Sequence, residues 1–276
     1  MSRRHPTLLL GAALIALAVA LALLSLLWTP HAPMRIAMAR RWLAPDLVHF
    51  LGTDHFGRDV ASMIMAGLRN SLAIAASGVA IGGALGTVAG LAAATWRGPV
   101  DEGAMRLVDF IFAFPAVLAA VVVTALIGPG PFAVTLAIAI ANAAMFARLV
   151  RAAAGQLWNR PFVRAAYALG GTRLRVAIVH VLPSLLGLLC VQAASQFAVA
   201  LLVEAGLSYL GLGLQPPAPS LGRMLNDSQT HMARAPWLAV FPGLTLVLVV
   251  LGAGLLGDGL RDRLDPRGIA PRMPSS

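Results

Sequence analysis

The side chains that could hold a metal ion or carry a proton are few in this chain. Three histidines, His31, His49 and His55, lie in the polar stretch that follows the first apolar segment. Imidazole is a good zinc ligand, but the spacing of these histidines matches no compact motif such as two histidines four residues apart. Asp54 and Arg58, which are four residues apart, instead indicate the start of a helix. We therefore predict no metal-binding site here.

Two carboxylates, Asp109 and Glu204, lie at or within apolar segments. A carboxylate in an apolar environment is a functional candidate, but both are close to segment ends, where water can reach them, which favours a structural salt bridge or hydrogen bond. Gln192 and Gln196 are four residues apart and share one helix face. They are suited either to lining a polar path for a hydrophilic solute or to bonding neighbouring helices. The sequence leaves both alternatives open.

The chain contains no lysine, and this absence excludes two kinds of enzyme. All 21 basic residues are arginines. A phosphate-binding P-loop requires a lysine on the phosphates, and a Schiff-base enzyme requires a lysine amine. The single cysteine, Cys190, lies in an apolar run, where a buried thiol is usually an inert small hydrophobe. The sequence predicts no catalytic residue and no cofactor on this chain.

The composition places these residues in a membrane protein. Hydrophobic residues make up 59% of the chain and charged residues 12%, and the mean hydropathy is +0.82. That charged share is about half the share found in an average soluble domain. The net charge of +10 would suit nucleic acid binding, but arginines that flank membrane spans produce the same excess. We therefore expect contact with membrane lipid and none with nucleic acid.

Six segments are apolar and long enough, or nearly so, to cross a bilayer as helices. They are 8–28, 71–95, 107–127, 132–147, 184–203 and 237–257. With the N-terminus inside, the inner segments hold fourteen arginines and the outer segments seven, in agreement with the positive-inside rule. Both termini are then cytoplasmic. A helix capped by Thr53 or Asp54 is expected to lie along the outer membrane surface before the second span.

The spans divide the chain into three parts. Residues 1–70 contain an anchor span and an extracytoplasmic segment, residues 71–258 form the core transmembrane domain, and residues 259–276 form a cytoplasmic tail. The first apolar run follows Arg3 and Arg4, as in a signal peptide. It is longer than a typical signal-peptide core and is followed by no small-x-small cleavage pattern, so we predict an uncleaved anchor.

A glycine stripe marks the second span. Glycine recurs every fourth residue, at Gly78, Gly82, Gly86 and Gly90. Residues at this spacing share a helix face, and such smooth grooves let two membrane helices approach closely. The stripe suits packing within the chain and packing against another subunit equally well.

The inner loop 151–183 is basic and is divided by a pair of glycines. It contains the sequence RPFVRAAYALGGTRLRVAIVHVLP. Pro161 is tolerated in the first turn of a helix, Gly170 suits the left-handed position that ends it, and Thr172 can cap a second helix. We therefore predict a helix–turn–helix on the cytoplasmic surface. Its thin first helix suits either a groove on another protein or the surface of anionic lipid.

This loop resembles the EAA loop of permease subunits of bacterial ABC importers. The resemblance rests on Ala165-Ala166, Gly170 and Leu182-Pro183 at the spacing of that family. Four more stretches resemble the dipeptide/oligopeptide/nickel subfamily, and they follow in the family's order. They are LGTDHFGRDVASMIMAGLRNSL (51–72), VDFIFAFPAVLAA (108–120), EAGLSYLGLGLQPPAPSLGRML (204–225) and GDGLRDRLDPR (257–267). The match is most similar to the C-type permease of the pair found in these systems.

The resemblance implies a fold, a function and partners. It implies the type I importer permease fold, which is all-α with six transmembrane helices, in a multi-pass protein of the bacterial inner membrane. The implied function is to move a small hydrophilic solute, a peptide or a nickel-type substrate, into the cytoplasm. The implied partners are a second homologous permease, two ATPase subunits that carry ATP and magnesium, and an extracytoplasmic solute-binding protein.

In that family the loop forms the coupling helix, which docks on the ATPase. The residues that the resemblance assigns to it are Val163, Arg164, Ala165, Ala166, Gly170, Leu182 and Pro183. The family usually has a glutamate where this chain has Arg164, so the ion pair of that glutamate is absent or reversed here. Gln192 and Gln196 are candidates for the translocation path.

Two other functions fit the sequence less well. A stand-alone ion-coupled carrier would require a buried proton or ion relay, for which Asp109 and Glu204 are thin support. An intramembrane protease would require a placed catalytic set such as H-E-x-x-H, and none is found in the sequence. We therefore predict a non-catalytic permease subunit.

Overall fold

A computed structural model describes the backbone of residues 6–114 and 116–264. In these ranges the chain is helical, and its one β pairing is an isolated bridge between Thr53 and Asp59. The helices are α1 (Pro6–Leu27), α2 (Val60–Trp96), α3 (Pro99–Ala113), α4 (Ala116–Ile127), α5 (Pro131–Leu157), α6 (Pro161–Ala168), α7 (Arg173–Val176), α8 (Leu182–Tyr209), α9 (Leu221–Ser228) and α10 (Trp237–Leu264). The predicted all-α fold class is confirmed. Pro115, Arg3, Arg4 and the tail beyond residue 264 lie outside the described residues.

Five helical runs in the described ranges are long and apolar enough to cross a membrane. They are α1, α2, α5, the continuous run Arg173–Tyr209 and α10. The third predicted span is not straight, because α3 and α4 meet at an angle of 95°. Phe114 leaves the helix with an extended backbone, φ −98° and ψ 134°, which is the conformation that a following proline imposes. Counted as one span, this bent pair brings the number to the predicted six.

Helix α5 runs ten residues beyond the predicted span 132–147, to Leu157. The prediction ended at Arg148 because a charged side chain in lipid is costly. Arg148 instead binds Asp109 of α3 at 2.8 Å, and Arg151 binds Asp101 with two hydrogen bonds. The helix therefore continues past both arginines, which pair with carboxylates of α3.

The predicted surface helix before the second span is wrong. Helix α2 begins at Val60 and continues unbroken to Trp96, and its N-cap is Asp59 rather than Thr53 or Asp54. The Asp59 carboxylate accepts hydrogen bonds from the amide and the hydroxyl of Ser62, at 2.9 Å and 2.6 Å. Asp54 instead closes a turn in the segment before the helix. The predicted boundary at residue 70 falls inside α2, and the three-part division of the chain stays a prediction.

The glycine stripe of α2 packs against α5 within the same chain. A Cβ atom at Gly82, Gly86 or Gly90 would fall inside contact distance of a backbone carbonyl oxygen of α5, and one at Gly78 would overlap the Ile138 side chain. Only glycine therefore allows the two backbones to come this close. The sequence allowed packing either within the chain or against another subunit, and the structure shows packing within the chain.

Two main apolar clusters hold the described helices together, besides a three-residue cluster of Val108, Ala144 and Ala147 that joins α3 to α5. The larger joins α1, α2, α8, α9 and α10 and includes Leu68, Leu201 and Leu221. The smaller lies where α2 and α5 meet the loop 151–183, and it consists of Ala94, Val150, Ala154, Val163, Val176, Val181 and Leu185. The smaller cluster fixes the position of the loop relative to the spans.

Candidate functional site

The inner loop folds as the predicted helix–turn–helix. Helix α6 starts at Pro161, and Gly170 follows its end with φ +90°, in the left-handed region. The Gly170 amide donates to the Tyr167 carbonyl at 3.1 Å, and the Gly171 amide donates to the Ala166 carbonyl at 3.3 Å. This pair of bonds is a Schellman motif, which satisfies the last carbonyls of the helix. The prediction for Gly170 is confirmed.

The second helix of the loop leads directly into a span. The Thr172 hydroxyl caps α7 by accepting a hydrogen bond from the Arg175 amide at 3.3 Å. A π-helical turn, Ala177–Val181, then joins α7 to α8. Pro183 lies in the first turn of α8, and because proline lacks an amide proton and crowds the preceding turn, a widened turn accommodates it. Leu182 is half-buried at this junction, and the loop and α8 form one continuous helical run.

The residues of α6 divide between two faces. Val163 is fully buried in the smaller cluster and anchors the helix. Arg164 and Ala165 are exposed and line an open depression together with Trp158, Tyr167 and Ala168. The Trp158 and Tyr167 rings meet edge to face, with centroids 6.4 Å apart. The candidate residues of the loop therefore comprise an anchor and an exposed contact face.

This exposed face is apolar for a surface in water. Phe162 is 50% exposed, Leu169 is 89% exposed and Tyr167 is 47% exposed. Exposed large apolar side chains concentrated in one short segment mark sites where another protein or a membrane binds. The face thus has the properties of a docking surface.

A second apolar surface lies between α2 and α8. An open groove there is lined by residues that include Gly83, Phe146, Leu186, Cys190 and Phe197. Cys190, which lies in an apolar run of the sequence, is exposed on this wall rather than buried. Gln192 and Gln196 are half-buried on α8 and are not among the groove-lining residues. The structure does not bring these two glutamines to the groove wall.

The two carboxylates of the apolar segments have structural hydrogen bonds. Asp109 is 71% exposed and binds Arg148. Glu204 is completely buried, and its carboxyl group lies 2.7 Å from the Ser208 hydroxyl. The structural interpretation of both is confirmed. The expectation that water reaches Glu204 is wrong, because α9 and the turn before it cover that end of α8.

The outer histidines do not act as one group. His31 and His49 converge on Asp59, whereas His55 stacks near His231, with ring centroids 4.9 Å apart. Burial, opposed in part by the nearby Asp54, lowers the pKa of His55 below its usual 6.5. Sequence spacing could not show that His31, His49 and Asp59 meet, because the chain between them folds back on the start of α2.

The fold and these surfaces define a polytopic membrane subunit that works together with other proteins. The family model for the inner membrane component of binding-protein-dependent transport systems matches residues 86–269. The chain belongs to this family and is the permease subunit of an ABC importer in the bacterial inner membrane. Because the chain belongs to this family, the alternative function of a stand-alone ion-coupled carrier is not supported.

Named relatives agree with this assignment. The dipeptide transport system permease protein DppC of Alkalihalophilus pseudofirmus is 38% identical over 267 residues, which cover 96% of this chain and 87% of the relative. The glutathione transport system permease protein GsiD of Pectobacterium atrosepticum is 40% identical over 223 residues, covering 81% and 74%. A chain of the inward-facing MetNI methionine ABC transporter has a TM-score of 0.55 at 17% identity, covering 72% of this chain and 96% of that one. The last match supports the fold alone.

Proposed function

We propose that this chain forms half of a translocation path for short peptides. The named relatives serve dipeptide and glutathione transport, and both solutes are short, hydrophilic and peptide-like. The proposed complex contains a second homologous permease, two ATPase subunits with ATP and magnesium, and an extracytoplasmic solute-binding protein. The nickel-type substrate stays a prediction from sequence resemblance.

The groove between α2 and α8 is the proposed contact with the second permease. It is open and apolar, and it lies on the spans rather than on a loop. In lipid, apolar groups gain little from association alone, so a shaped groove favours a partner helix through close packing. Gln192 and Gln196 are half-buried on α8 outside the groove lining and remain the proposed polar residues of the path.

The exposed face of α6 is the proposed ATPase-docking surface. It is the structural observation on which the proposed function mainly depends. Arg164 and Ala165 face outward, while Val163 holds the helix against Val150 of α5 and Val176 of α7. A displacement of α6 by the ATPase would therefore move packed side chains rather than a loose loop. Because α7 continues into α8 through the π-helical turn, the movement would reach a span.

This chain is proposed to have no ATPase activity of its own. It contains no lysine, and a phosphate-binding P-loop requires one. ATP hydrolysis is expected only when the ATPase subunits are added to the purified chain. Turnover by the purified chain alone, in proportion to its amount, would contradict the proposal.

A bulky residue on the α6 face tests the docking proposal. Ala165 is exposed, so Ala165→Trp should leave insertion and folding unchanged but fill the contact. Ala152→Trp is the matched control, because Ala152 is also exposed near the inner end of α5 but does not line the depression. We expect both variants at normal membrane levels, and only Ala165→Trp to lose co-purified ATPase and uptake. Normal docking and uptake by Ala165→Trp would overturn the proposal.

The charge of Arg164 gives a companion test. If an acidic residue of the ATPase faces it, Arg164→Glu places like charges together and uptake falls. Arg175→Glu is the control, since Arg175 is an exposed arginine of the same loop outside the depression. Equal uptake by the two variants would show that Arg164 faces only solvent or lipid.

A further inference from the structure

Three side chains of the outer segment converge at the start of α2. His31 follows α1, His49 lies in the segment between α1 and α2, and Asp59 is the N-cap of α2. The Nδ1 atom of His49 lies 2.9 Å from Oδ1 of Asp59, and the Nδ1 atom of His31 lies 3.6 Å from the same oxygen. The two imidazole rings are 4.5 Å apart between centroids.

The cluster is largely buried and incompletely hydrogen-bonded. His49 is 4% exposed and Asp59 is 2% exposed, whereas the His31 side chain is 34% exposed. Nδ1 of His49 pairs with Oδ1 of Asp59, but the buried Nδ1 of His31 has no hydrogen-bond partner among the described residues. A buried polar atom without a partner is costly, so this nitrogen, 3.6 Å from the same oxygen, needs a physical reason. A metal ion that accepts its lone pair would supply that reason.

We propose that His31, His49 and Asp59 form an extracytoplasmic binding site for a zinc-class divalent metal ion. Each residue offers one ligand atom, and the three atoms lie within 4.8 Å of one another. Ligand atoms around a tetrahedral zinc are roughly 3.3 Å apart, given bonds of about 2.0–2.1 Å. The observed separations of 2.9 Å and 3.6 Å bracket that value. Two imidazoles and a carboxylate are the donor set that zinc accepts.

The surroundings leave a fourth ligand position open. The cavity beside the cluster is also lined by Arg35 and Arg40, both exposed to solvent. These charges oppose a bare dication, but they complement an anionic fourth ligand such as hydroxide or a carboxylate. Asp59 keeps its capping role, because its second oxygen, Oδ2, accepts the hydrogen bonds from Ser62.

Metal binding would join three parts of the outer segment. It would link the end of α1 and the segment around His49 to the first turn of α2. The hydrogen bond from the His31 amide to the Ser62 hydroxyl, 2.9 Å long, already holds the same parts together. The site would therefore fix the outer segment on α2, at the side of the membrane where external metal ions have access.

The test is metal binding by the full-length chain, expressed with its transporter partners and purified through an affinity tag that contains no histidine. After treatment with a chelator, zinc affinity is measured by competition with a chromophoric indicator, and geometry by cobalt absorption. His31→Ala is the main variant, because the His31 side chain is 34% exposed and tolerates truncation. His55→Ala is the control, since His55 is an outer histidine outside the cluster.

We expect saturable binding at this site in the wild type and in His55→Ala. In His31→Ala we expect affinity to fall by more than about 100-fold, beyond the 10–100-fold typical of an outer-shell change. His31→Cys should restore binding and give a sulfur-to-cobalt charge-transfer band that the wild type lacks. Equal zinc affinity of wild type and His31→Ala, or His31→Cys without the new band, would overturn the proposal.

Discussion

Replacing Gly170 should open the inner loop without affecting the spans. A Cβ at Gly170 would meet no heavy atom within 4 Å, so the change introduces no clash. The cost arises from the backbone alone, since Gly170 has φ +90°. A left-handed conformation costs a residue with a Cβ about 1–2 kcal/mol. Asparagine tolerates this region better, so the cost should rise from Gly170→Asn through Gly170→Ala to Gly170→Val.

This cost converts into a measurable opening of the loop. A change of 1–2 kcal/mol shifts a local equilibrium by a factor of about 5–30. Trypsin cleaves after arginine, and the loop presents exposed arginines at Arg160, Arg164 and Arg173. When opening is fast relative to cleavage, the cleavage rate follows the open population. In inverted membrane vesicles, Gly170→Ala should therefore be cut about 5–30 times faster than the wild type.

Gly155→Ala is the matched control for this series. Gly155 lies inside α5, close to the loop, and a Cβ there also meets nothing within 4 Å. Alanine favours a helix interior over glycine, so cleavage of this variant should be unchanged or slower. ATPase co-purification and uptake are measured on the same variants and should fall in the order of cleavage. If Gly170→Ala is cut no faster than Gly155→Ala, the left-handed turn does not control the loop.

Three further outcomes are expected. Gly86→Ala should lower the stability in detergent by about 1–3 kcal/mol, because the new Cβ atom forces α2 and α5 apart. Gly254→Ala is the control and should cause no such loss, because a Cβ atom there meets no heavy atom within 4 Å. Equal losses in the two variants would contradict the packing of α2 on α5. Because the pKa of His55 is lowered in the folded protein, the unfolded chain binds a proton more readily at this residue. The free energy of unfolding therefore decreases as the pH falls below 6.5, and the decrease stops below the folded-state pKa. The wild type should therefore lose more thermal stability than His55→Gln on acidification, and parallel losses would refute this origin. Reporter fusions at Trp42 and Gly171 should report opposite sides of the membrane, and the same side for both would refute the six-span topology.

Properties set by neighbouring residues were predictable from the sequence. Apolar length predicted the spans, and Pro161, Gly170 and Thr172 predicted the helix–turn–helix. These signals are local, because a helix start, a left-handed turn and a cap each depend on a few consecutive residues. The sequence motifs of the loop and of the outer segments also indicated the family, which the comparisons confirmed.

Contacts between distant residues were decided only by the tertiary structure. The sequence ended the fourth span at Arg148, but α5 continues to Leu157, and Arg148 pairs with Asp109, which lies far away in the sequence. The glycine stripe of α2 was compatible with packing against any neighbouring helix, and in the folded chain it packs against α5. The spacing of His31 and His49 argued against a common site, yet both imidazoles meet at Asp59. In each case the energy depends on which side chains folding brings together, and no pattern along a single segment carries that information.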